Sequence, residues 1–185
     1  ILPGMEVETK EEVHVVVLFD SMNQLEIWEQ FVNEHRSGRI NDEQRFGAQF
    51  VVDAEDEFIR MKSEMLLGSL QCGIAQVCKK VNDLGGICIA SHIDRPMYSL
   101  ISQLGFIPPD VKLAGVEVSR MTKPEEGKKR FPGIGNLPIV TSSDAHRMEE
   151  FITGPKTIFR MEEPTLSEIQ QALKGENLRI FENFA

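Results

Sequence analysis

Cysteine is scarce in this sequence, and no two cysteines have the close spacing of a C-x-x-C motif. The chain has three cysteines, Cys72, Cys78 and Cys88, and no C-x-x-C. An odd number of cysteines, all within apolar segments, argues against a disulfide framework. It predicts reduced, buried core residues of the kind found in a cytoplasmic protein.

Long apolar runs and clusters of positive charge are also missing. No apolar stretch approaches the length of a membrane span and no signal peptide is visible, so we expect no membrane partner. The formal net charge is −9, and the main basic run is Lys128-Lys129-Arg130. This balance argues against nucleic acid as a general partner. Because the first residue is Ile1 and not methionine, we expect a processed or truncated piece of a longer product.

What is present is typical of an ordinary folded domain. The 185 residues are 41% hydrophobic and 26% charged, as expected of a globular protein with a sizeable core. Residues 1–185 are therefore predicted to form a single domain. Within it, the pattern of residues 41–62 indicates a hairpin that lies outside the main layer.

Strand and helix patterns alternate along most of the chain. Apolar runs predict buried strands, and apolar residues at helical spacing predict helices that often start at a capping box and end at glycine. The predicted strands cover 2–7, 13–19, 87–90, 113–118, 139–142 and 156–160, and the predicted helices cover 21–36, 70–84, 97–104 and about 165–174. Residues 124–138 are expected to form a loop. This alternation predicts an α/β fold with a mostly parallel sheet or barrel, which presents ligands at the C-terminal ends of its strands.

The strand at 139–142 leads into Asp144 and His146. In an extended strand, residues two apart point to the same side, so this carboxylate and imidazole converge if the strand continues through them. Such a pair suits Zn, Mn or Fe. The same D-x-H pattern also fits a simple turn with a solvated aspartate.

Other polar residues occupy comparable positions. His14 opens one apolar strand and His92 closes another. Glu6 is an acid inside an apolar strand, where it needs a charged partner or a metal. These three residues join the D-x-H pair as candidate metal ligands. His35 lies at the polar end of a helix and is left outside the site.

Four segments, in this order, resemble motifs of the PHP family, the polymerase and histidinol phosphatase family of metal-dependent phosphoesterases. Residues 3–7, PGMEV, are similar to its G-x-E strand, and residues 13–15, VHV, to its next histidine-containing strand. Residues 90–96, ASHIDRP, resemble its A-H-I-D-R-P segment, and residues 143–146, SDAH, its terminal S-D-A-H. The resemblance extends over nearly the whole chain.

The resemblance implies a distorted seven-stranded β/α barrel with two or three Zn, Mn or Fe ions at one mouth. It implies that Glu6 bridges two metals and that His14 and His92 complete the ligands of one of them. Asp144 and His146 would then serve the other ions and act as catalytic residues.

The implied chemistry is hydrolysis of a small phosphorylated substrate. Closely spaced cations activate water and neutralise the oxygens of a phosphate ester. Arg95 and Arg147 are candidates for binding that phosphate through their forked guanidinium groups. For Arg95, an ion pair with Asp94 or another acid is the alternative.

The H-x-H and T-D-H motifs that begin PHP proteins are absent from this sequence. We therefore expect an N-terminally truncated barrel without its first two βα units and without about half of the histidine ligands of the family. Such an open barrel has free strand edges through which chains could self-associate. Three explanations are open: the missing residues were cut off, a partner supplies them, or a degenerate domain has lost them. The retained ligands favour the first explanation.

The predicted function is hydrolysis of a phosphate ester by metal-activated water, impaired in this chain by its incomplete site. An amidohydrolase-like C–N hydrolase is one alternative, because it uses similar ligands on a β/α barrel. A non-catalytic metal-binding or regulatory PHP module is the other. Glu117 also lies near the end of a strand, but we do not count it as a ligand.

Overall fold

The computed structural model describes residues 1–184, which contain nine strands and seven α-helices. The strands are β1 (Gly4–Glu8), β2 (His14–Leu18), β3 (Phe50–Val52), β4 (Phe58–Met61), β5 (Ile87–Ala90), β6 (Gly115–Val118), β7 (Ile139–Thr141), β8 (Lys156–Arg160) and β9 (Ile180–Phe184). The helices are α1 (Met22–His35), α2 (Glu43–Phe46), α3 (Ile74–Asp83), α4 (Leu100–Leu104), α5 (Pro124–Arg130), α6 (Met148–Thr153) and α7 (Leu166–Lys174). A 3₁₀ turn covers Pro132–Ile134.

Five strands form the main sheet in the order β1-β2-β5-β6-β7. β2 is antiparallel to both β1 and β5, whereas β5, β6 and β7 are parallel to one another. The C-terminal ends of these three strands and the loops that follow them therefore lie at one end of the sheet. Because β2 runs in the opposite direction, its start lies at the same end, where Val15 pairs with Ala90.

The expected seven-stranded barrel is wrong. Within residues 1–184 the outer strands β1 and β7 do not pair with each other, and β3–β4 and β8–β9 form separate two-stranded antiparallel sheets. An apolar run identifies a buried strand but not the direction of its neighbour. The antiparallel pairing of β2 was therefore not visible in the sequence, and the fold is an α/β arrangement around a mixed, open sheet.

Each face of the main sheet is covered by its own apolar cluster. On the first face, Val15 and Val17 belong to a large core that includes Trp28 of α1 and residues of α3 and α4. On the second face, Ile89 and Val140 pack with the buried side of α7. Complete burial of an aliphatic side chain contributes roughly 1.5–3 kcal/mol, so these clusters hold the strand ends in fixed positions.

Helix α1 begins with the predicted capping box. The backbone N–H of Gln24 donates to the Ser21 hydroxyl oxygen over 3.4 Å, and the Ser21 N–H donates to the Gln24 side-chain oxygen over 2.9 Å. Thr165 accepts from the backbone of Glu168 at the start of α7, so this predicted cap is also confirmed. Such caps stabilise a helix by about 1 kcal/mol each.

The prediction of a loop at 124–138 is wrong, because α5 forms there. Pro124 suits the first position of a helix, where its missing N–H is not needed. Gly127 lies inside the helix, and a Cβ at this position would come within 2.8 Å of the Ile139 side chain. The glycine that suggested a loop thus allows α5 to pack closely on β7.

Two predictions from composition can be compared directly with the fold. The three cysteines are free and buried, as predicted. Across residues 1–184, none of the helices has the length and apolar content needed to cross a bilayer.

Side chains of the two-stranded β8–β9 sheet cover the outer edge of β7. The Thr141 N–H donates to Oγ1 of Thr157 over 2.9 Å, and the Thr157 hydroxyl lies 2.8 Å from the Thr141 carbonyl oxygen. The side-chain amide of Asn183 donates to the carbonyl of Ile139 over 3.0 Å. The free edge that was expected to support self-association is therefore occupied at β7.

Candidate metal centre

Strand pairing brings Glu6, His14 and His92 to one end of the main sheet. Glu6 lies in the middle of β1, His14 is the first residue of β2, and His92 follows the end of β5 by two residues. The Ser91 N–H donates to the His14 carbonyl over 3.1 Å, which joins the second and third of these segments directly. Three segments that are distant in sequence thus present polar groups at one place.

Alternation along the strands decides the face on which the site lies. Val7 and Val15 point into the first apolar cluster, so their neighbours Glu6 and His14 point to the second face. His92 has a φ of 28°, a backbone conformation that is uncommon for residues other than glycine. The chain thus leaves the strand direction of β5 at this histidine.

One oxygen of Glu6 faces both imidazole rings. Its Oε1 lies 3.5 Å from Nδ1 of His14 and 3.8 Å from Nε2 of His92. One ligand atom from each of the three residues lies within 4.8 Å of the others. Bonds of about 2.0–2.1 Å to a tetrahedral ion place ligand atoms about 3.3 Å apart. The three side chains therefore need to move only slightly closer together to bind one ion. A carboxylate and two imidazoles fit Zn, Mn or Fe.

The electrostatics of the cluster suit metal binding. The hydrogen bond with His14 lowers the pKa of Glu6, and the same bond raises the pKa of His14. Burial lowers the pKa of His92, which keeps this imidazole in the neutral form that binds metals. Metal binding therefore competes mainly with the proton on His14.

Glu8 lies on the other side of the His14 ring. Its Oε2 is 3.6 Å from Nε2 of His14, and Tyr98 stacks on the same ring with 4.9 Å between centroids. A metal-binding histidine usually has a carboxylate, carbonyl or water at its second nitrogen, which fixes the ring. Sequence reasoning missed Glu8. The sequence did contain a signal for it: Glu8 lies two residues after Glu6, so both carboxylates lie on one side of β1.

Asp144 lies outside this cluster and pairs with Arg95. β7 ends at Thr141, and Asp144 has a φ of 45°, so the strand does not continue through the D-x-H pair. Nη2 of Arg95 lies 2.5 Å from Oδ2 of Asp144. Arg95 thus forms an ion pair with an acid, but that acid is Asp144 and not Asp94.

His146 and Arg147 follow on the same loop. His146 lines a cavity of about 730 Å³ that also includes Glu6 and His14. Its Nδ1 lies 3.0 Å from the Asp144 carbonyl oxygen. Arg147 is exposed and directly precedes α6. The structure thus brings His146 to the cavity of the cluster, whereas Asp144 and Arg147 are not part of its lining.

Glu117, which sequence reasoning left out of the ligands, is buried between two strands of the site. It lies on β6 and is 7% exposed. The Ser142 hydroxyl donates to its Oε2 over 2.6 Å, and the Ile93 N–H donates to its backbone carbonyl over 2.8 Å. Burial raises the pKa of Glu117. The residue connects the loops that carry His92 and Asp144, and an acid in an apolar strand was the same signal that identified Glu6.

Comparison with known proteins identifies similar structures but no similar sequences. No protein-family model matches this chain, and no curated protein matches its sequence. The lesion-specific endonuclease Q from Pyrococcus furiosus is similar over 97% of this chain and 40% of its own, with a TM-score of 0.71 and 19% identity. Endonuclease Q in complex with a 27-mer duplex substrate, with an abasic lesion at the active site, is similar over 96% and 40%, with a TM-score of 0.67 and 19% identity.

At this identity the likeness establishes a shared fold. The chain spans about two fifths of the length of those two proteins. One of them binds a DNA duplex as its substrate, which contradicts the argument that excluded nucleic acid on the basis of the charge of −9. Net charge describes the whole surface, whereas a nucleic acid contacts only a local part of it.

Proposed function

We propose that this chain carries the metal centre of a PHP-type phosphoesterase that hydrolyses a phosphodiester of nucleic acid. The observation that carries the proposal is the convergence of Glu6, His14 and His92 at the end of the main sheet, with ligand atoms within 4.8 Å of one another. The order of the four PHP-like motifs and the fold shared with two endonuclease structures support it.

The residues of the centre have separate roles in this proposal. Glu6, His14 and His92 hold a divalent cation, and Glu8 orients the His14 ring from its second nitrogen. The cation, when bound, neutralises phosphate oxygens and makes water more acidic. His146 lines the cavity in which the phosphate lies and is placed to transfer a proton.

Arg95 and Arg147 lie on the loops that carry His92 and His146, respectively. The Arg95 guanidinium, once released from Asp144, can donate two parallel hydrogen bonds to a phosphate. Asp144 is then free to act as a further metal ligand, as the PHP resemblance implies. Arg147 offers a second guanidinium on the neighbouring loop.

Metal content tests the centre directly. We expect the purified chain to bind about one equivalent of Zn, Mn or Fe, because three donors converge on one point. His92→Ala should lose this metal, whereas His35→Ala should retain it, because His35 lies on α1 away from the cluster. Equal metal content in the two variants, measured by inductively coupled plasma mass spectrometry, would refute the assignment.

Hydrolysis of bis(p-nitrophenyl) phosphate tests the reaction class. We expect low activity because the site is incomplete, and this activity should disappear with EDTA, return with added Mn or Zn, and stay absent in His92→Ala. Activity that survives both EDTA and the substitution would exclude a metal-dependent mechanism through this centre.

A further inference from the structure

The loop between β6 and α5, residues 119–123, is firmly attached beside the candidate centre. Both carboxylate oxygens of Asp94 bind Ser119: one accepts its N–H and the other its hydroxyl, each over 2.8 Å. The Thr122 N–H donates to the Ser119 carbonyl over 3.1 Å. Ser119 and Thr122 are both buried. The inner side of this loop is thus attached to the segment that follows His92.

The outer side of the same loop carries positive charge. Arg120 and Lys123 are exposed. Arg130, at the end of α5, donates to the Thr122 hydroxyl over 2.8 Å and adds a third cation. In the part of the chain that the structure describes, none of the three takes part in an ion pair. Two cations on this fixed loop and a third that is bound to it from the end of α5 therefore lack carboxylate partners.

The position of this loop relates its charge to the candidate centre. β6 lies between β5 and β7 in the sheet, so its loop emerges between those that carry His92 and His146. Neighbouring strands are about 4.8 Å apart. This loop is thus next to the one that carries His92, but Arg120 and Lys123 are exposed and belong to neither the metal cluster nor the lining of its cavity.

We propose that Arg120, Lys123 and Arg130 bind phosphates that flank the cleaved one on a nucleic-acid strand. This inference rests on the proposed function and specifies where the polymer lies. A substrate with one phosphate has no use for cations beyond the centre, whereas a nucleic-acid strand presents a phosphate about every 3.4 Å along its axis. In a chain with a net charge of −9, unpaired cations beside the centre provide a local attraction for such a polymer.

Two acids set a boundary to this surface. Glu125 and Glu126 are exposed in the first turn of α5, immediately after the loop. Their charges repel phosphates, so we place the strand over the loop and not over the helix. Substitutions of the cations and of these acids should therefore change DNA affinity in opposite directions.

The test compares two double variants with the same change of charge. R120Q/K123Q removes two cations from the proposed surface. K112Q/K174Q removes two exposed lysines that line a cavity at the opposite end of the sheet. Binding of a short fluorescein-labelled DNA duplex is measured by fluorescence anisotropy at several salt concentrations, and hydrolysis of bis(p-nitrophenyl) phosphate reports on the centre.

We expect R120Q/K123Q to weaken DNA binding about tenfold or more at low salt. It should also reduce the slope of log affinity against log salt by about 1.8, or about 0.9 for each lost phosphate contact. K112Q/K174Q should leave both quantities close to those of the wild type. E125Q/E126Q should strengthen binding.

The outcomes separate this inference from the proposed function. Equal effects of R120Q/K123Q and K112Q/K174Q, or weaker binding in E125Q/E126Q, would overturn the surface even if metal-dependent hydrolysis of the small diester persists. Absence of that hydrolysis, with DNA binding that still depends on Arg120 and Lys123, would instead remove the proposed function and leave a nucleic-acid surface without catalysis.

Discussion

The Arg95 guanidinium binds the Asp144 carboxylate across 2.5 Å and so joins the loop after β5 to the loop after β7. The side chains are 40% and 19% exposed, respectively. Both charges are close enough to act on His92 of the metal cluster. The pair consists of a predicted phosphate-binding residue and a predicted metal ligand. If Asp144 is a metal ligand, its carboxylate must leave the Arg95 guanidinium to bind the ion, so the two interactions compete.

A double-mutant cycle with Arg95→Gln and Asp144→Asn measures this competition. In EDTA we expect a coupling of about 0.5–1 kcal/mol in the free energy of urea unfolding, because the pair is partly solvated. With saturating metal the coupling should fall towards zero as Asp144 turns to the ion. The same coupling with and without metal would mean that Asp144 stays with Arg95 and is not a ligand.

Glu8→Gln should weaken metal binding without removing any of the three ligands. The substitution replaces the carboxylate that faces Nε2 of His14 from 3.6 Å, and loss of such a partner typically lowers metal affinity about 10–100-fold. Competition with a chromophoric chelator measures the change. Glu34→Gln, at an exposed position on α1, is the control. Equal affinities in the two variants would show that Glu8 does not support the site.

Glu117→Gln should reduce the pH dependence of stability. Burial raises the pKa of Glu117 above its ordinary value of 4.5, so its protonated form stabilises the fold fully below that pH. This contribution is lost as the pH rises through the folded-state pKa. In EDTA, the wild type should therefore lose more stability than the variant as the pH rises above about 4.5. Urea unfolding at several pH values measures the difference, and parallel curves would contradict the prediction.

Gly86→Ala should destabilise the start of β5. A Cβ at this position would lie 2.6 Å from the Phe19 ring and 2.8 Å from the Leu18 carbonyl oxygen. Because neither group can move freely, we expect a loss of about 1–3 kcal/mol in the free energy of unfolding. Gly133→Ala is the matched control, since no atom lies within 4 Å of its added carbon. Similar unfolding midpoints for both variants would argue against this close contact.

Local features of the fold were largely predictable from the sequence, but strand direction was not. Ser21 and Thr165 marked helix starts because a hydroxyl at that position satisfies a free backbone N–H. β9 was missed because Ile180–Phe184, with the sequence IFENF, lacks the strict alternation of apolar and polar side chains that marks a strand, although its exposure alternates in the fold. The barrel was wrong because antiparallel and parallel neighbours can require the same apolar side chains in a buried strand.

The positions of the site residues were predictable where the residues lie within or next to paired strands. Glu6, His14 and His92 meet because strand pairing and alternation determine their positions. The convergence of Asp144 and His146 depended on a strand that in fact ends at Thr141. Backbone conformation after a strand end is set by tertiary contacts, here including the Arg95 ion pair, and the sequence pattern carries no direct signal of it.

The β8–β9 sheet that covers β7 has a consequence for assembly. Thr157 and Asn183 bind main-chain groups that a further strand would need. A second molecule can add to this side of the main sheet only after the β8–β9 sheet has detached, so the rate of such growth is limited by a local opening within one molecule. Raising the protein concentration alone should do little to accelerate fibre formation from this edge.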